Sequence, residues 1–153
     1  MDGNEKIFQK VLIPVDGSSY SLAAIRLAGK LARIHNSEVT IVHVIDEQVV
    51  QQLCRLRNGE CDSVRKNMEE EAKGLVSDMK RELIAAGVKA NTVVLKGAPY
   101  EQILDLAEKQ GVDLIVMGKL GRRGVKRILI GSVAERVIEF SKCPVLSVSD
   151  RRC

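Results

Sequence analysis

Five short stretches of this chain are rich in β-branched and other apolar residues, and too little polar to leave a face in water. They are Lys10-Val-Leu-Ile-Pro-Val15, Glu38–Ile45, Lys89–Leu95, Asp113–Met117 and Pro144–Val148. A strand covered on one side only alternates apolar with polar residues, whereas a near-continuous apolar run must be covered on both sides. Between these runs the period changes to that of a helix. Leu22, Ile25, Ala28, Leu31 and Ala32 recur at helical spacing, ending near Asn36. Val64, Met68, Leu75, Met79 and Leu83 line one side of a long helix from Ser63 to Ala86, with Gly87 at its stop. Pro99 suits a first helical turn, Ile103, Leu104 and Ala107 face inward, and Gly111 ends that helix. A last helix runs from Ser132 to Ser141. Strands alternating with helices, the strands buried on both faces, define an α/β doubly wound domain with a parallel sheet. At 153 residues, with no internal repeat or linker, residues 1–153 read as one domain. The stretch from Asp46 to Asp62 has no clean period and reads as a long connection with at most a short helical turn. Pro144 suits a strand at the sheet edge.

The segment Gly118-Lys-Leu-Gly-Arg-Arg-Gly-Val-Lys-Arg-Ile-Leu-Ile-Gly-Ser132 joins the fourth strand to the last helix. It carries Lys119, Arg122, Arg123, Lys126 and Arg127, and no acid precedes Glu135. The whole chain has a net charge of only +4, so the rest of the protein is slightly acidic and the basicity belongs to this loop. A strand, a glycine-rich basic loop and a helix start together suit phosphate. Glycine permits positive φ and close backbone approach. A helix start offers unpaired N–H groups and the positive end of the helix dipole. Ser132-x-x-Glu135 has the spacing of a capping box, with Ser132 as cap. Asp16, after the first strand, suits either a helix cap or a nucleotide ligand. His43, inside an apolar strand, reads as a packed residue.

Other chemistries find little support. The G-x4-G-K-[S/T] phosphate loop is absent, and no G-x-G-x-x-G follows the first strand. A phosphoacceptor Asp after the third strand is missing, since that strand ends Leu95-Lys96. Two histidines, both early, suggest no Ser/His/Asp group. Of four cysteines, none forms a C-x-x-C, which argues against structural zinc. Cys54 and Cys61 would pair only in an oxidising compartment or a hyperthermophile. The absence of Trp and the scarcity of aromatics argue against a stacking surface for nucleic acid. No run approaches the length of a membrane helix, and the first residues lack a signal-like apolar stretch, so the expected location is cytoplasmic.

Gly118, Gly121, Gly131 and Ser132 fit the pattern G-x2-G-x9-G-[S/T]. With Val11-Leu-Ile-Pro-Val-Asp16 ending the first strand, the chain resembles the universal stress protein family, ATP-binding branch, from about Lys10 to Val148. The resemblance implies a five-stranded parallel sheet of order 3-2-1-4-5, with the site where the order reverses. It implies that Pro14, Val15, Asp16 and Val44 seat adenine and ribose, with Met117 and Gly118 continuing that wall. Gly121, Gly131, Ser132 and Val133 would hold the phosphates of ATP, with Lys119 and Arg122 beside them. Mg²⁺ or Mn²⁺ would be carried mainly by the phosphates, with Asp16 in reach. Lys119 and Leu120 stand where the family usually has a small hydroxyl residue followed by a polar or basic one. The resemblance also implies a homodimer through Pro144–Val148. The function expected is that of a nucleotide-dependent stress-response module. A slow ATPase or ATP-dependent transferase is the alternative, and a nucleotide-free dimeric scaffold a weaker one. With cations but no acid in the loop, binding is favoured over turnover.

Overall fold

The computed structural model describes residues 7–121 and 129–150. Its elements are β1 (Lys10–Pro14), α1 (Ser19–His35), β2 (Glu38–Asp46), α2 (Glu47–Leu56), α3 (Cys61–Ala85), β3 (Ala90–Gly97), α4 (Pro99–Gln110), β4 (Leu114–Gly118), α5 (Ser132–Phe140) and β5 (Val145–Val148). The five strands form one parallel sheet in the order β3-β2-β1-β4-β5. The expected topology is therefore the observed one.

Each strand sends alternate side chains to opposite faces. Val11, Ile13 and Val15 of the first strand and its exit pack with Ile41 against α1 and α3. Leu12, Val42, Ile115 and Met117 pack against α4 and α5. Leu12, Ile13, Ile41 and Ile115 are fully enclosed; each contributes about 1.5–3 kcal/mol of transfer free energy. Helix ends follow the sequence signals. Asn36 and Gly111 take the left-handed conformation as C-caps, and Gly87 does so just after Ala86 caps α3. No described helix is long and apolar enough to cross a membrane.

Two sequence expectations fail here. The stretch after Asp46 is not a loop: α2 occupies ten residues of it. Asp46 caps that helix by accepting from the Gln48 N–H at 2.9 Å, and Val50 and Cys54, four apart, bury one narrow stripe. The surrounding Gln51-Gln52 and Arg55 are exposed, which hid the period. α3 also starts at Cys61 rather than Ser63.

The α2–α3 hairpin covers the β2–β3 side through a small separate cluster of Ile45, Val50, Cys54, Val64 and Ala72. Arg65 Nη1 donates to both carboxylate oxygens of Glu47, at 3.0 and 3.1 Å. Lys96 of β3 hydrogen-bonds Glu69 and holds its carboxyl below the usual carboxylate range. A Cys54–Cys61 disulfide closes the hairpin, with Cα atoms 4.9 Å apart. Cys143 is free and packs beside the α4–α5 core. A crosslink spanning a sequence separation of seven restricts the unfolded chain by about 2 kcal/mol. Dithiothreitol should therefore lower the unfolding free energy read from urea titration by about 2 kcal/mol, through a lower midpoint with the slope little changed. An unaltered midpoint with both thiols alkylated would refute this stabilisation.

Candidate functional site

The order reverses between β1, which continues through α1 to β2, and β4, which continues through α5 to β5. The chain therefore diverges at the carboxyl ends of β1 and β4, leaving a crevice there. One wall is the exit of β1. Asp16 Oδ1 accepts from the Ser18 N–H at 3.0 Å and from Ser21 Oγ at 2.6 Å. The Asp16 N–H in turn donates to Ser21 Oγ at 2.8 Å. This is an Asx turn. The cap of α1 itself is Ser18, whose side chain accepts from the Ser21 N–H at 3.2 Å. Asp16 thus serves the turn before the helix and does not cap it.

The other wall is the segment after β4. The Lys119 N–H donates to the Val148 carbonyl, and the Gly131 N–H donates to the Lys119 carbonyl, both at 2.8 Å. The second bond closes the base of the basic loop and brings the start of α5 beside the end of β4. Arg122, with Arg123, Lys126 and Arg127, lies outside the described residues. Lys119 is half-buried at the loop base.

The cap of α5 differs from expectation. Gly131, in extended conformation (φ −72°, ψ 156°), is the N-cap, and no side chain caps this helix. Ser132 is one residue inside and exposed. The Gly131 carbonyl already accepts the first intrahelical bond from the Glu135 N–H at 2.9 Å, so Ser132-x-x-Glu135 falls one residue out of the capping-box register.

The glycines also act differently than expected. None of Gly118, Gly121 and Gly131 has positive φ. A Cβ on Gly118 would stand 2.6 Å from Tyr20 Cβ and 2.9 Å from the Tyr20 carbonyl carbon, so α1 packs directly on the end of β4. A Cβ on Gly121 would stand 2.7 Å from Asp16 Oδ2, so the two walls touch there. At Gly131 a Cβ would meet Leu120 Cα at 3.4 Å, ordinary contact.

Of the residues expected at the site, Pro14, Val44, Met117 and Val133 are brought together on the α4–α5 side of the sheet end. Pro14 belongs to that face by alternation with Leu12. Asp16, Gly118, Gly121, Gly131 and Ser132 surround the crevice. Val15 is not part of this wall through its side chain, which packs with α1 and α3. Its backbone is engaged too: the N–H donates to the Val42 carbonyl at 2.8 Å, and the carbonyl accepts from His43 Nδ1 at 2.7 Å. Sequence reasoning missed Ile130, which packs beside Val133 against the same core. It also missed the His43 contact, since periodicity marks His43 only as a strand residue. Among the described residues no three His, Cys, Asp or Glu side chains gather as a metal site.

A five-stranded parallel sheet with helices on both faces and a crevice at its switch point defines a doubly wound α/β domain. Residues 7–149 match the model of the universal stress protein family. The chain is 39% identical over 144 residues to universal stress protein MJ0531 of Methanocaldococcus jannaschii, covering 94% of this chain and 84% of that one. The solved structure of MJ0577, from the same organism, superposes with a TM-score of 0.83 at 33% identity, covering 96% of this chain and 99% of that one. A universal stress protein solved in complex with cAMP superposes with a TM-score of 0.63 at 27% identity, covering 95% and 99%. This chain belongs to the universal stress protein family.

Gly118→Ala should destabilise by about 1–3 kcal/mol, because neither the Tyr20 backbone nor its Cβ can rotate away. Gly131→Ala keeps an ordinary φ and should cost only the weaker N-cap preference, below ~1 kcal/mol. Urea titration of both variants compares them; equal costs would contradict the packing account of Gly118.

Proposed function

We propose that this protein binds ATP in the crevice between the ends of β1 and β4 and acts as a nucleotide-dependent stress-response module. The observation that carries this reading is the closure of Lys119 onto Gly131, which sets the uncapped start of α5 beside the end of β4. The first-turn N–H groups there have no side-chain cap, so an anionic phosphate completes them. Ser132 contributes a hydroxyl at the same end, and Lys119 with Arg122 supplies positive charge.

The base is supported by Val44. β2 pairs with β1 no further than the Val15 N–H, so Val44, two residues beyond Val42, turns its N–H and C=O toward the crevice. An N–H beside a C=O matches the N1 acceptor and 6-amino donor of adenine. Pro14, Met117 and Val133 offer the apolar walls. The relative solved with cAMP gives an adenine nucleotide to another member of this family. Mg²⁺ or Mn²⁺ enters on the phosphates. The loop between Gly118 and Ser132 supplies no base to activate water, so the module is read as a binder with slow turnover at most.

Calorimetry tests the reading. Affinity should fall from ATP to ADP to AMP and with added salt, which screens charges over ~10 Å at 0.1 M. Gly131→Val places a branched side chain at the phosphate position and should abolish binding while circular dichroism stays native. A folded variant binding as tightly as wild type would overturn the site. Hydrolysis by wild type near the ~10 s⁻¹ enzyme median would favour the ATPase or transferase reading instead.

We propose also that β5 pairs with its copy across a two-fold axis. It is the sheet edge, with Leu146 36% exposed, and an apolar edge strand invites pairing. Charged residues at Val145 and Leu146 should lower the mass measured by light scattering. A monomeric wild type at high concentration would sink the dimer.

A further inference from the structure

The β1–β2 ladder stops abruptly. Its outermost bonds run from the Glu38 N–H to the Gln9 carbonyl at 2.7 Å and from the Val15 N–H to the Val42 carbonyl at 2.8 Å. Parallel ladders are evenly spaced, so the next rung would run from the Val44 N–H to the Val15 carbonyl. Among the described residues that rung is not made. The Val15 oxygen instead meets His43 Nδ1 at 2.7 Å. A carbonyl oxygen only accepts, so Nδ1 carries the hydrogen and donates.

We infer that His43 is a positioning residue: its ring replaces the missing rung, ends the ladder at Val15 and keeps the backbone N–H of Val44 open to an adenine base. The inference rests on the nucleotide reading above for its ligand, but its backbone claim stands apart from any ligand. His43 shares the α1–α3 face with Ile41 by strand alternation, so the ring reaches the Val15 carbonyl from the side of the sheet opposite the base site. From there it holds the carbonyl out of line with the Val44 amide without occupying the crevice. Leucine has similar bulk and no donor, and lets the rung form. Asparagine places an amide N–H near the position of Nδ1.

Amide exchange by NMR on the full chain is the direct test. In wild type the Val44 amide should exchange fast for a central-strand residue. In His43→Leu it should be protected at least about tenfold, as the rung to Val15 forms; in His43→Asn it should stay fast. A purely structural histidine predicts the opposite sign, since its loss would loosen the strand and speed exchange. Calorimetry with ATP and GTP adds the ligand. His43→Leu should weaken ATP about tenfold, equivalent to 1.4 kcal/mol, and narrow the preference for ATP over GTP, while His43→Asn restores both. A Val44 amide already protected in wild type, or unprotected in His43→Leu, overturns the inference, as does His43→Asn binding no better than His43→Leu. The wild-type exchange rate decides even if the leucine variant does not fold. Wild type that binds no adenine nucleotide overturns the site reading alone, leaving the exchange result to judge His43.

Discussion

β1 is hydrogen-bonded along both edges and covered on both faces, and a strand so enclosed can end only by turning out of the sheet. That constraint fixes the place of the crevice. Asp16 makes the turn, drawing Ser18 and Ser21 into one hydrogen-bonded unit that starts α1. α1 then descends onto β4 so closely that Tyr20 leaves no room for a side chain at Gly118. The end of β4 and the end of β1 are thereby held at a fixed separation before any ligand enters. Enclosure of the strand, the turn, the helix contact and the crevice form one chain of consequences.

The glycines of the basic loop carry less of the ligand chemistry than their spacing suggests. Gly118 is required by helix packing and Gly121 by the Asp16 carboxylate. Among the described glycines of the loop, only Gly131 stands where a side chain would fit the protein. It is therefore the glycine whose substitution separates a ligand effect from a folding effect. A pattern of glycines at fixed offsets thus combines two constraints that the sequence presents as one.

The same distinction explains what was legible beforehand. Apolar runs such as Val11–Val15 and Leu114–Met117 announce buried strands because burial on both faces leaves no polar positions. Asn36, Gly87 and Gly111 announce helix ends because those positions need positive φ. α2 was not legible, because a ten-residue helix on the surface buries only Val50 and Cys54. The cap at Ser132 was misplaced by one residue, because Gly and Ser both suit an N-cap and sequence alone does not say which takes the extended conformation. The family resemblance implied that Val15, with Pro14 and Asp16, seats adenine and ribose. The two-residue alternation, anchored by Ile13 on the α1–α3 face, puts its side chain on the other side. The hydrogen bond of His43 left no signal at all, since it links residues 28 apart.

The uncapped start of α5 is then a matter of magnitudes. Glycine at an N-cap costs only a few tenths of a kcal/mol relative to serine or aspartate. A capping side chain at position 131 would place its own oxygen before the second and third N–H groups of the helix, where a phosphate oxygen is proposed to sit. A ligand present at about a hundred times its dissociation constant stabilises the folded protein by about 2.7 kcal/mol. The loss at the cap is several-fold smaller than that. If a phosphate binds there as proposed, a helix that starts on glycine at the end of a basic loop is weaker alone and stronger with the anion in place. On the proposed reading, nucleotide occupancy and the stability of the β4–α5 segment rise together, and a stress module that reports nucleotide level through its own fold needs no catalytic step.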